Sequence, residues 1–173
     1  MATRRLFFGI GLDEQATSTI QQWLSRSVAH HKPPTLARNW HITLAFLAQV
    51  DTPTTDALIE FAEQLKGAPF ELQFSQSGYW AHNGIFYLPP APSDALASLA
   101  APLRALSEQW QLYTNPYPYL PHITLFRNHK PTPQVRAPMT PFTLTVTKFH
   151  LYHSHSSQDG LHYTPIASFG LSA

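Results

Sequence analysis

Ten of the sixteen prolines of this 173-residue chain gather in clusters, at Pro33-Pro34, Pro89-Pro90-Ala91-Pro92, Pro116-Tyr117-Pro118 with Pro121, and Pro131-Thr132-Pro133. Proline donates no backbone hydrogen bond and biases its predecessor away from helix, so these clusters forbid long uninterrupted elements. Between them the hydrophobic period alternates. Arg5 to Ile10 is short, aromatic and apolar, as a buried strand is. Asp13 is placed to cap a helix running to about Ala29, with Ile20, Trp23, Leu24 and Val28 at helical spacing. Asn39 to Leu47 reads as a strand, and Thr52-Pro53 starts a helix that Gly67 ends. Phe70, Leu72 and Phe74 alternate, and Gly84 to Leu88 is another strand. Leu96, Leu99, Leu103, Leu106 and Trp110 recur at steps of three and four, a helical period that Pro102 interrupts with an expected kink or late start. Pro121 to Arg127, Phe142 to Tyr152 and Leu161 to Ile166 complete the strands.

That order predicts an α+β protein with mostly antiparallel sheet. No linker divides the chain cleanly, so residues 1–173 are expected to form a single domain, with the Pro-rich stretch near residues 88–92 as the boundary between two halves that pack together. Length and composition agree. The chain is 43% hydrophobic and 12% charged, about half the usual ~25% charged share, and it can bury a core without a metal or disulfide staple. With no cysteine there is no disulfide framework, thiolate zinc site, iron–sulfur cluster or cysteine nucleophile. No apolar run approaches the ~18 residues of a membrane span, and the opening Met1-Ala2-Thr3-Arg4-Arg5 has no small-residue cleavage site, so a cytoplasmic protein with no membrane partner is expected. A net charge of +1 gives no field for holding a long polyanion, yet one or two placed cations can hold a single phosphorylated end. No coiled-coil stripe is present, and a monomer is expected.

The tetrapeptide His41-Ile42-Thr43-Leu44 recurs as His122-Ile123-Thr124-Leu125, each copy following a loop. In a strand, successive side chains point to opposite faces, so each copy offers His and Thr on one face and anchors Ile and Leu on the other. If the two halves are related by an approximate two-fold axis, both His–Thr pairs converge on one cleft. Two imidazoles with an unperturbed pKa near 6.5 suit general acid and base catalysis at a phosphodiester: one takes a proton from water while the other gives one to the leaving alkoxide. The threonine hydroxyls would donate to nonbridging oxygens as charge develops there. The scheme calls for no metal and no cofactor. A lone strand histidine is ordinarily structural; two at equivalent positions, each with Thr at the same offset, favour the catalytic reading.

The paired motifs resemble those of the two-histidine (2H) phosphoesterases, and within them the bacterial RNA 2',3'-cyclic phosphodiesterases, historically called 2'-5' RNA ligases. The resemblance runs through Arg5-Leu6-Phe7-Phe8, Asn39 to Leu47, Pro121 to Arg127, Phe149 to Ser154 and Tyr163-Thr164-Pro165. It implies two pseudo-symmetric lobes of mostly antiparallel sheet with outer helices around a central cleft, their strands intertwined. It implies opening of a terminal 2',3'-cyclic phosphate on RNA ends or small cyclic nucleotides to a 2'-phosphate, with ligation as the reverse reaction. It further implies His41 as proton donor, His122 as proton acceptor, and Thr43, Thr124 and Arg127 as phosphate-binding. Strand parity places residue 127 opposite 122 and 124, so Arg127 reaches the cleft only if the strand ends or bulges after Leu125; otherwise it is a surface residue. Phe8 and Tyr152 are candidate cleft or base contacts. The competing reading is a noncatalytic module that binds phosphorylated nucleotide or RNA ends in the same cleft.

Other signals are set aside. His150 lies opposite His153 and His155 on a strand, so the three cannot chelate one metal. Gly9-Ile10-Gly11 lacks the third glycine of a dinucleotide loop, since Glu14 stands there, and reads as a turn.

Overall fold

The computed structural model describes residues 2–172. Strand β1 (Thr3–Gly11) leads to helix α1 (Glu14–Ser27), the short strand β2 (Val28–Ala29), a 3-10 turn (Ala37–Asn39) and β3 (His41–Asp51). Helix α2 (Thr52–Glu63) is followed by β4 (Phe70–Phe74), β5 (Gly78–Trp80), β6 (Ile85–Leu88) and α3 (Asp94–Gln109). Then come β7 (Ile123–Phe126), β8 (Gln134–Val135), β9 (Phe142–Val146), β10 (Lys148–Ser157) and β11 (Gly160–Gly170). The architecture is the expected α+β, antiparallel at every described pairing. The proline clusters lie in the connections between these elements, as at Pro89 to Pro92 between β6 and α3.

Helix starts are set by local chemistry. The Asp13 carboxylate accepts the Ala16 N–H at 2.7 Å, the Asp51 carboxylate accepts that of Thr54 at 2.8 Å, and the Ser93 hydroxyl accepts that of Leu96 at 3.1 Å. Each satisfies a first-turn donor that the helix leaves unpaired. Pro102 does not delay α3, which already begins at Asp94 and carries the proline inside it. Leu96, Leu99, Leu103 and Leu106 are buried along one stripe, each stabilising by roughly 2 kcal/mol. Helix α1 is shorter than expected, because Val28–Ala29 leaves it to pair with Gln134–Val135.

A seven-stranded sheet runs β11-β10-β1-β3-β7-β6-β5, with β4-β9 and β2-β8 as separate pairs. The expected single strand from Phe142 to Tyr152 is two. β9 pairs with β4, β10 pairs with β1, and the buried apolar positions change from even (Leu144, Val146) to odd (Phe149, Leu151) across the break. The middle of the large sheet is one residue pair, Ile42 opposite Ile123, where β3 meets β7. On one side lie β3, β1, β10 and β11; on the other β7, β6 and β5. The first side joins strands from the two ends of the chain, and the second takes strands from its middle.

Gly84 closes the turn into β6 with φ +65, and its carbonyl accepts the His129 N–H at 3.0 Å. A Cβ there would stand 2.7 Å from that same nitrogen. Gly84→Ala therefore combines a left-handed backbone with a backbone clash and is expected to lower unfolding free energy by roughly 2 kcal/mol or more. Gly170→Ala, which meets nothing within 4 Å, should stay within about 0.5 kcal/mol of the parent. Urea denaturation of both variants checks this, and equal midpoints would refute it.

Candidate functional site

Antiparallel register around Ile42 and Ile123 sets His41 across from Thr124 and Thr43 across from His122. All four side chains emerge on the face opposite the fully buried isoleucines. The repeated tetrapeptide is thus folded about a local two-fold axis through its own second residue.

The imidazoles are held alike. His41 Nδ1–H donates to the Asn39 carbonyl at 2.7 Å, and His122 Nδ1–H donates to the Leu120 carbonyl at 2.8 Å. A carbonyl only accepts, so in both rings the proton of the neutral form sits on Nδ1 and the lone pair sits on Nε2. Thr43 Oγ1 lies 2.9 Å from His41 Nε2. Asn39 is itself clamped: its Nδ2 donates to the Leu161 carbonyl at 2.8 Å and its Oδ1 accepts the Tyr163 N–H at 3.2 Å. The β10–β11 hairpin therefore orients the His41 ring through one residue.

The two motif strands are also braced reciprocally. The Thr35 hydroxyl, ahead of the first motif, donates to the Thr124 carbonyl at 3.0 Å, while its N–H donates to the Leu125 carbonyl at 2.8 Å. The Tyr119 hydroxyl, ahead of the second motif, donates to the Thr43 carbonyl at 2.7 Å. Trp40 Nε1–H fixes Thr35 in turn, at 2.9 Å.

Thr35 grips the bulge that the Arg127 reading requires. Phe86 pairs with Phe126 but Tyr87 pairs with Thr124, so Leu125 is an extra residue in β7. Parity is reset there, Leu125 and Phe126 are both buried, and β7 ends at Phe126. Arg127 follows at once, exposed, and its charge disfavours protonation of both imidazoles.

Aromatic rings wall each histidine. Phe7 lies 4.8 Å from His41 between centroids, Tyr163 meets it edge-on at 5.0 Å, and Tyr152 stacks on Phe7 at 5.1 Å. Trp80 and Tyr87 stand edge-on to His122 at 4.9 and 5.6 Å. Phe8 is not among them. Its side chain is fully buried against Phe149 and Phe169 on the opposite face, because β1 places odd residues toward the cleft, and Phe7 takes the position expected of it. Tyr152 does border the cleft, and burial pushes its hydroxyl pKa up to about 12, which keeps it a donor. Gly9 and Gly11 form no turn; they lie in β1, where a Cβ would come within 3.3 and 2.9 Å of Tyr152. Both leave room for that ring.

Phe7, Tyr163, Trp80, Tyr87, Asn39 and Thr35 were not legible as site residues, since each enters through a strand pairing or loop contact distant in sequence. His150 sits opposite Gly9 and bonds Ser168 at 2.7 Å, while His153 and His155 are neighbours with centroids 4.9 Å apart. No group of three His, Cys, Asp or Glu among the described residues is arranged to hold a metal ion. No helix among them is long and apolar enough to cross a membrane.

Burial is the main influence on both imidazoles, pushing His122 below its ordinary value and His41 down to about 4.

Comparison with known proteins places this geometry among relatives. The family model for the 2'-5' RNA ligase superfamily matches residues 12–158. An RNA 2',3'-cyclic phosphodiesterase of Escherichia coli (strain K12) is 30% identical, over 97% of this chain and 97% of that protein. The crystal structure of E. coli LigT complexed with 3'-AMP superposes with a TM-score of 0.90 at 29% identity, covering 99% of both chains. That of the Thermus thermophilus protein TT0787 gives a TM-score of 0.76 at 26% identity over 96% of this chain and 97% of that one.

The depressed His41 pKa carries a stability consequence. In the unfolded chain His41 takes a proton as pH falls through about 6.5, while the folded protein resists until about 4. The unfolded state binds more protons in that window, so stability is fully present above pH 6.5 and falls by roughly 3 kcal/mol toward pH 4. His41→Gln removes this share. Urea unfolding at pH 7.5 and pH 4.5 should show a smaller loss in the variant than in the wild type; equal losses would refute the assignment.

Proposed function

We propose that this chain, which belongs to the 2'-5' RNA ligase superfamily, hydrolyses the terminal 2',3'-cyclic phosphate of RNA or of a small nucleotide to a 2'-phosphate. The observation that carries the reading is the pair of His–Thr motifs facing each other across Ile42 and Ile123, with both Nδ1–H groups tied to backbone so that each Nε2 carries the lone pair, the one on His41 accepting from its own Thr43. A binding module has no use for two imidazoles so matched in tautomer.

In the proposed reaction, water attacks phosphorus and its proton passes to His122 Nε2. His41, protonated at Nε2, gives that proton to O3' as the P–O3' bond breaks. The product is a 2'-phosphate with a free 3'-hydroxyl, and the two imidazoles end with exchanged protonation, which solvent restores. Thr43, Thr124 and Arg127 hold the nonbridging oxygens as charge grows on them. In the protein alone burial favours neutral His41, so its acid role depends on the substrate: a bound phosphodiester anion offsets both the burial and the Arg127 charge and draws the pKa upward. The geometry is symmetric, and the family resemblance is what gives His41 the acid role. With a 5'-hydroxyl in place of water as the nucleophile, the same ring opening forms a P–O5' bond as P–O3' breaks and joins two RNA ends through a 2'-5' phosphodiester. Tyr163, partly exposed and edge-on to His41, offers a stacking surface for a base, backed by the buried rings of Phe7 and Tyr152.

Adenosine 2',3'-cyclic phosphate incubated with the protein and a chelator should yield the 2'-phosphate resonance by phosphorus NMR, with a bell-shaped pH dependence. His41→Ala and His122→Ala should each lower kcat by about 100-fold or more. A p-nitrophenyl phosphodiester, whose leaving group needs no proton, should recover the His41 variant more than the His122 variant. A 3'-phosphate product, or near-normal turnover by both variants, would overturn the mechanism. Phe7→Leu should impair turnover, whereas Phe8→Leu should lower stability by roughly 1 kcal/mol and leave the turnover of folded protein intact.

A further inference from the structure

A recess of about 610 Å³ opens beside the cleft, lined by Arg4, Arg5, Arg127, His153 and His155, and no acidic residue lines it. It shares two residues with the site already described. Tyr163 lines it and meets His41 edge-on, and Arg127 lines it with a charge felt by both imidazoles. The recess is therefore continuous with the place proposed for the cyclic phosphate.

Arg5 lines this recess and has no carboxylate partner among the described residues. It stands in β1 two residues before Phe7, opposite Gln49 of β3 and Ser154 of β10, on the same face as Phe7. Its guanidinium lies over the Phe46 ring at 4.7 Å, which orients the planar donor group without using its N–H donors. Among the described residues, the ion pairs within 4 Å involve only Arg38, His162 and Asp159, so Arg5 and Arg127 face the recess with no carboxylate partner. A chain of net charge +1 has concentrated unpaired positive charge at one end of its cleft. An arginine fork held flat and unpaired suits a phosphate, which it can grip through two parallel hydrogen bonds.

We propose that this recess is a subsite for the phosphodiester immediately upstream of the cyclic end, so that the preferred substrate is an oligonucleotide and not a mononucleotide. The inference rests on the cyclic phosphodiesterase reading and adds to it where the RNA chain leaves the site: past Arg127 and Tyr163, along the ends of β1 and β10. Arg127 then stands between two phosphates, and Arg5 serves only the second.

The experiment compares kcat/KM on adenosine 2',3'-cyclic phosphate with that on the dinucleotide ApA ending in a 2',3'-cyclic phosphate, across a range of salt. The wild type should favour the dinucleotide by about tenfold or more, chiefly through KM. Arg5→Gln should remove most of that preference and reduce the salt slope of log kcat/KM on the dinucleotide by about 0.7, the value for one phosphate contact on a single strand. Turnover of the mononucleotide should be unchanged, which also shows that the variant is folded. Arg5→Lys, which keeps the charge, should retain the slope. Equal kcat/KM on the two substrates in the wild type, or a preference that survives in Arg5→Gln, would overturn the subsite and leave the cyclic phosphodiesterase reading standing. Loss of turnover on both substrates alike in Arg5→Gln would likewise overturn it. No turnover of either substrate by the wild type would overturn that reading, and the subsite with it.

Discussion

Where β3 meets β7, the large sheet is continuous through one residue pair, Ile42 and Ile123. Both side chains are fully buried, so their neighbours at i−1 and i+1 have nowhere to go but the opposite face. A shift of one residue in that register would turn His41, Thr43, His122 and Thr124 into the core and bring the isoleucines out. Few contacts hold the junction itself. The loops before each motif supply the rest, through Thr35 on the carbonyls of β7 and Tyr119 on the carbonyl of Thr43. Each half of the site is thus braced by the segment that leads into the other half.

Electrostatics at the junction work against charge. Burial and Arg127 both disfavour the imidazolium forms of His41 and His122, and backbone carbonyls at Asn39 and Leu120 only partly oppose this. The cleft by itself sets a positively charged guanidinium beside two imidazoles that resist protonation. An anionic phosphodiester supplies the missing counter-charge, so binding and readiness for proton transfer are coupled. The same anion preference accounts for Thr hydroxyls and not carboxylates beside the histidines, since a carboxylate would compete with the phosphate.

Around this centre the aromatic side chains divide by strand face. Phe7 and Phe8 are adjacent in sequence and chemically identical, yet one ring packs on His41 and the other is sealed against Phe149 and Phe169. Both are almost wholly buried, 4% and 0% exposed, so burial alone does not separate them. Pairing does: Phe7 lies opposite Phe46 and Tyr152, and Phe8 opposite Ala45 and Leu151. Two bulges in the β1–β3 ladder, near Leu44 and Leu47, give β3 an alternation that its own residues do not reveal.

What the amino-acid sequence determined by itself was whatever depends on neighbours within a few residues. Proline clusters and caps at Asp13, Asp51 and Ser93 set where elements begin and end. Apolar period marked helices and strands, and the i, i+2 spacing of His and Thr put each pair on one face. Even the break between β9 and β10 was present as a change in apolar parity at residues 146 to 149, though a continuous β-rich run concealed it. Tertiary structure decided the remainder. That the two motifs pair with each other, that Leu125 bulges and so turns Arg127 toward the cleft, that Asn39 is clamped by β11, and that Phe7 and not Phe8 meets His41 all depend on register between segments up to 124 residues apart. Register is chosen by the total burial and hydrogen bonding of the assembled sheet, and no local stretch of residues contains that sum.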